Sequence, residues 1–238
     1  MSKTTTSRPM VAVLVAAALI LAMGGAAVAS NMGFKMNKPL VQAPVGSTSQ
    51  TGNNWTSIPY HNPYGNIGGL CTQTGMLSSG TLGRNVITTK NYNTVNEGFR
   101  TFTCGTSGAT GQALLPGKML QIRSFVQTNS PSSLIIVGSH NSGQQIDITE
   151  GQDYWLSVPY HTTWVTSNDL CTQAGLTSTG TLRGTVTRLN PGPPAAFQTG
   201  TCGSTTTVFN LVLGEGLQVR EANAVAGTQV KSFTPAHY

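Results

Sequence analysis

The stretch Trp55-Thr56-Ser57-Ile58-Pro59-Tyr60-His61 returns one hundred positions later as Trp155-Leu156-Ser157-Val158-Pro159-Tyr160-His161. The match continues without a gap. Leu70-Cys71-Thr72-Gln73 returns as Leu170-Cys171-Thr172-Gln173, and Gly80-Thr81-Leu82 as Gly180-Thr181-Leu182. Over residues 55–82, 14 of 28 positions are identical at this offset. A second block follows at an offset of 97: Gly117-Lys118-Met119-Leu120-Gln121-Ile122-Arg123 matches Gly214-Glu215-Gly216-Leu217-Gln218-Val219-Arg220. About three residues are therefore lost between the blocks, and loops are where a chain tolerates that. The plan is two tandem modules.

The repeat also chooses among the three connectivities that four cysteines allow. Cys71 and Cys171 are equivalent. Each is followed by one more cysteine in a similar setting, Thr103-Cys104-Gly105 and Thr201-Cys202-Gly203. The expected bridges are Cys71–Cys104 and Cys171–Cys202, one per module. Each would stabilise its module by about 3–4 kcal/mol in the chain-entropy model. No Cys-x-x-Cys spacing occurs, so neither a metal site nor a cofactor is expected.

The local patterns predict a mainly β (β-rich α+β) fold: two tandem antiparallel β modules, sandwich-like, each with one short helix and one internal disulfide. In Trp155–Tyr160, Leu156, Val158 and Tyr160 share one face and Trp155 and Ser157 the other. A short helix is expected from a Ser167 cap through Gln173, stopped by Gly175. Gly68-Gly69 weakens its counterpart in the first module. Val86–Thr89, Phe99–Cys104 and Leu120–Arg123 read as strands. Ser133–Gly138 and Gln144–Ile148 read as the arms of a hairpin, and 226–233 as a last, truncated strand. The predicted boundaries are 1–29 for a signal peptide, 30–51 for an extension able to add an edge strand, 52–150 for the first module and 151–238 for the second.

The signal reading rests on a basic start (Lys3, Arg8), an apolar run from Val11 to Met23, and the small-x-small pattern Ala27-Val28-Ala29. The apolar run is shorter than the roughly 20 residues of a comfortable membrane span. Cleavage after Ala29 would leave no membrane span and a net charge of +4, with eleven basic residues against seven acidic ones. The basic residues are scattered, which argues against a nucleic-acid partner. Charged residues are only 8% of the chain, against about 25% in ordinary domains, so neutral hydrogen-bonding groups carry solubility.

No catalytic constellation repeats. His61 and His161 recur, but without a second recurring histidine or carboxylate. Asp153 has Asn53 as its counterpart, Asp169 has Gly69, and Glu215 has Lys118. The candidate binding residues are therefore the recurring aromatic groups Trp55, Tyr60, His61 and Trp155, Tyr160, His161, as stacking platforms for sugar rings. Framework packing is the competing account of the same residues.

Together, the Trp-x-Ser-[Ile/Val]-Pro-Tyr opening, the Leu-Cys, the Thr-Cys-Gly strand and the Gly-x-x-Leu-Gln-[Ile/Val]-Arg closing block resemble a loose group of exported bacterial tandem-repeat proteins. That resemblance implies a fold unit and no activity. The reading favoured by the sequence is an exported non-enzymatic structural or binding protein of the envelope or extracellular space, periplasmic, secreted or at the cell surface, with itself or a surface glycan as partner. The alternatives are a carbohydrate-binding tandem module, and a periplasmic hydrolase with a cleft lined by Asp147, Asp153, Asp169 or His161.

Overall fold

The computed structural model describes residues 33–45, 52–59, 61–76, 83–90, 98–115, 117–126, 131–139, 141, 143–190, 196–222 and 230–236. The proposed signal segment and Tyr60 lie outside them. The fold is mainly β, as expected.

In the first half the elements are β1 (Phe34–Pro39), β2 (Asn53–Ser57), α1 (Ile67–Gln73), β3 (Val86–Lys90), β4 (Phe99–Thr103), α2 (Ser107–Gly111), β5 (Met119–Arg123) and β6 (Ser133–Gly138). In the second they are β7 (Ile146–Thr149), β8 (Asp153–Ser157), α3 (Ser167–Gln173), β9 (Thr185–Asn190), β10 (Ala196–Thr201), β11 (Gly216–Arg220) and β12 (Val230–Phe233). Each half holds an antiparallel four-stranded sheet of matching order, β2-β5-β3-β4 and β8-β11-β9-β10. Each also pairs its first and last strands in a two-stranded sheet, β1 with β6 and β7 with β12.

This pairing corrects local readings. The two strong strands at 133–148 are not a hairpin, because each finds its partner at the far end of its own half. The N-terminal extension does add a strand to the first half: β1 pairs with β6. Strand β7, assigned by sequence to the first module, buries Ile146 and Ile148 in one cluster with Val158, Leu170 and Val219 of the second half. The structural divide therefore falls between β6 and β7, not at residue 150. Residues 34–238 nevertheless form one compact unit, so the halves are lobes of a single body.

One face of each sheet covers a core. In the first lobe Ile58, Ile87, Leu120, Ile122, Leu134 and Ile136 pack with Ile67 and Leu70 of α1. The bridges Cys71–Cys104 and Cys171–Cys202 form as the repeat predicts, one per half, and each ties a helix to the turn that follows β4 or β10, inside the core. Oxidising compartments maintain such bridges.

The helices start differently from the sequence reading. The N-cap of α3 is Thr166, not Ser167. Its hydroxyl accepts the Asp169 N–H while the Asp169 carboxylate accepts the Thr166 N–H at 2.7 Å, a reciprocal capping box. In α1 the cap is Asn66, whose Oδ1 accepts the Gly69 N–H at 2.7 Å. The glycine pair that weakened the prediction is required by close approach: a Cβ on Gly69 would lie 2.0 Å from the Tyr64 carbonyl oxygen. The first lobe also carries α2, a second helical turn that the sequence reading did not anticipate.

Candidate functional site

Alternation along β2 puts Trp55 opposite Gln121 on the sheet face turned away from the lobe's own core. Trp155 sits opposite Gln218 in the same way. The two faces meet. Trp55 and Trp155 are 4% and 3% exposed and form a separate cluster with Met119 and Leu189. The indoles lie with centroids 6.2 Å apart, tilted by 40°.

The junction is reciprocal. Phe197 of the second lobe lies 5.5 Å from the Trp55 ring, and Phe99 of the first lies 5.0 Å from Trp155. Phe99 and Phe197 hold the same place, five residues before the second cysteine of their lobes. Main-chain bonds repeat the exchange: Ser57 N–H donates to the Gly214 carbonyl (3.2 Å) and Ser157 N–H to the Gly117 carbonyl (3.1 Å). Both glycines have positive φ, 70° and 73°, a conformation other residues adopt at a cost. Such an exchange of equivalent contacts is the pattern of a two-fold symmetric interface, here built within one chain. Side-chain sizes break the symmetry. A Cβ on Gly216 would lie 2.2 Å from Cγ of Met119, its own counterpart in the other lobe.

The expectation of tryptophan stacking platforms is thereby corrected. Trp55 and Trp155 are framework, because both faces of their sheets are covered. Tyr64 and Trp164, which stand at equivalent positions of the two lobes, are buried too. The Tyr64 hydroxyl accepts from Val137 N–H at 3.0 Å, and Trp164 Nε1 donates to Gln173 Oε1 at 2.5 Å. Burial raises the Tyr64 pKa above the usual phenol value, and the Val137 bond offsets part of that. His61 is exposed, its main chain paired with Ser139. Tyr160 is 37% exposed and meets the half-buried His161 edge to face at 4.8 Å. The structure thus leaves Tyr160 and both histidines at the surface, apart from the tryptophans.

Charge collects at the junction. Glu215, 9% exposed, accepts the Val212 N–H at 3.2 Å. Burial pushes its pKa above the usual carboxylate range, against the Val212 bond and the positive charges of Arg188 and Lys38. Burial pulls Lys38 below the usual lysine value, with Glu215 opposing. Glu215 is in the second lobe and Lys38 in the first.

The position equivalent to Glu215 is Lys118. Its ammonium reaches into the other lobe, lies 3.7 Å from the centre of the Tyr154 ring and hydrogen-bonds the Tyr154 hydroxyl. Beside this pair opens a polar cleft of about 290 Å³ lined by Gln145, Asp147, Thr149, Gln152 and Asp153. Two of the carboxylates named from sequence, Asp147 and Asp153, come together here. Asp169 is absent from the lining and serves its helix cap, where burial is outweighed by bonds from Thr166 and Val165 and its pKa sits below the usual range. His161 is also absent from the lining. The sequence offered one usable signal for the cleft, the unlike pairs Asn53/Asp153 and Asn54/Tyr154.

Among the described residues, no cluster of three or more His, Cys, Asp or Glu side chains is placed to hold a metal ion, and no helix is long and apolar enough to cross a membrane. No family model, no characterised protein and no solved structure matches the chain.

Proposed function

We propose that the chain is an exported, non-enzymatic structural protein of the bacterial envelope or extracellular space, a tandem repeat that works by contact with copies of itself. The signal-like N-terminus and the two disulfides support export.

The observation that carries self-contact is a pair of equivalent edge strands. β4 and β10 each end a four-stranded sheet, and each bears a phenylalanine more than half exposed, Phe99 at 58% and Phe197 at 59%. Natural proteins blunt edge strands with charge, proline or bulges. Across β4 and β10 the only charged residue is Arg100. Because one edge lies on each lobe, pairing β4 of one copy with β10 of the next is head-to-tail. That geometry extends a chain instead of closing a dimer.

Light scattering on the disulfide-intact protein across a concentration series tests this. The expected result is a mass that grows with concentration and stays monomeric in Thr101→Lys and Thr199→Lys, equivalent exposed positions on the two edge strands. A monomer at every concentration would overturn it.

A further inference from the structure

The two lobes differ most in chemistry where Asn53 and Asn54 of the first become Asp153 and Tyr154 of the second. Asn54 is fully buried and closes its lobe. Its Oδ1 accepts the Val41 N–H at 2.8 Å, and its amide donates to the carbonyls of Val41, Gly52 and Ile122. Tyr154 instead turns its ring and hydroxyl to Lys118 of the other lobe. The polar cleft opens at this spot, and its volume of about 290 Å³ is close to the lower end of the roughly 300–1,000 Å³ range of small-molecule sites.

We propose that this cleft binds a neutral sugar ring. Its wall offers amides (Gln145, Gln152), a hydroxyl (Thr149) and carboxylate oxygens (Asp147, Asp153). That mixture of donors and acceptors suits the alternating hydroxyls of a saccharide. The charges do not favour an ionic ligand, because each is engaged within the protein. Lys118 is held by Tyr154. Asp147 accepts from Ser232 Oγ at 2.6 Å and from Gln145 Nε2 at 3.1 Å. Asp153 faces Arg220 at 3.9 Å. The Asp153 side chain keeps 30% of its surface exposed, so its carboxylate can accept from a ligand hydroxyl at the cleft wall.

The test is isothermal titration and ligand-observed NMR on the full exported chain. The probes are the methyl glycosides of glucose, galactose, mannose and N-acetylglucosamine, with cadaverine as a cationic control. At least one glycoside is expected to bind and cadaverine to be inert. Asp153→Ala should weaken that binding about tenfold or more, the effect of losing a hydrogen bond to a charged group. Gln145→Ala, at an exposed position that leaves the fold untouched, should weaken it about threefold or more, as loss of a neutral bond does. Binding should persist in Thr101→Lys, an exposed position on β4, which separates this site from the self-contact reading. No glycoside bound, cadaverine bound instead, or glycoside affinity unchanged in both cleft variants would each overturn the proposal.

Discussion

The indole of Trp55 meets the indole of Trp155 across the junction, and each is flanked by a phenylalanine from the opposite lobe. Residues that recur in the sequence are therefore also partners in space. Removing either buried ring should cost about 3–5 kcal/mol. Trp55→Ala and Trp155→Ala, followed by denaturant unfolding, should each show this loss. The double variant should depart from the sum of the singles by roughly 0.5–3 kcal/mol, as contacting residues do. Additive losses would mean that the rings do not touch in solution.

The bridges should be independent. Replacing Cys71 and Cys104 together by serine removes one cross-link and is expected to destabilise by about 2–5 kcal/mol, leaving Cys171–Cys202 intact. Peptide mapping of the non-reduced variant checks the second point. A peptide joining Cys171 to Cys202 is the expected result; free thiols at those positions would show that the lobes oxidise together.

Glu215 predicts a pH effect of defined sign. Its folded pKa is raised, so between the ordinary carboxylate value and the raised one the folded state holds more protons than the unfolded chain. Stability must fall as pH rises through that window. Lys38 acts at the alkaline end in the opposite sense. Its folded pKa is lowered, the unfolded chain holds more protons there, and stability rises with pH between the two values. Glu215→Gln keeps an acceptor for Val212 and should flatten the acid-side decline, with stability at neutral pH equal to or above the parent's. Urea unfolding across a pH series reads this directly, and a large loss at neutral pH would contradict it.

The helix caps should respond to acid unequally. Asp169 has a lowered folded pKa, so its contribution is present above the ordinary carboxylate value and is lost as pH falls through the folded one. The equivalent start in the first lobe is capped by Asn66, which does not titrate. Thr166→Ala should cost about 1 kcal/mol. Hydrogen exchange at low pH should open α3 before α1; simultaneous opening would refute the difference.

How far the sequence could be read follows from how local each signal is. The bridges and most strands were legible, because repetition fixed equivalent positions and alternation is a property of neighbours. The partners of β1, β6, β7 and β12 were not, because each pairs with residues 81 to 104 positions away and nothing local records it. Alternation placed Trp155 on the face opposite Leu156, but could not show that a second sheet covers that face. For α1, propensity counted against Gly69, whereas the close carbonyl of Tyr64 selects it. The cleft is faint in sequence because it is written as a difference between copies, and repetition draws the eye to what agrees.

The size mismatch at the junction has a further meaning. A dimer of two identical subunits would have to set a thioether against a thioether at this spot, or bare backbone against bare backbone. Here Met119 fills the space that Gly216 leaves, an arrangement open only to lobes encoded as unlike sequences. Since one polypeptide carries both, their partnership has fixed stoichiometry and survives dilution.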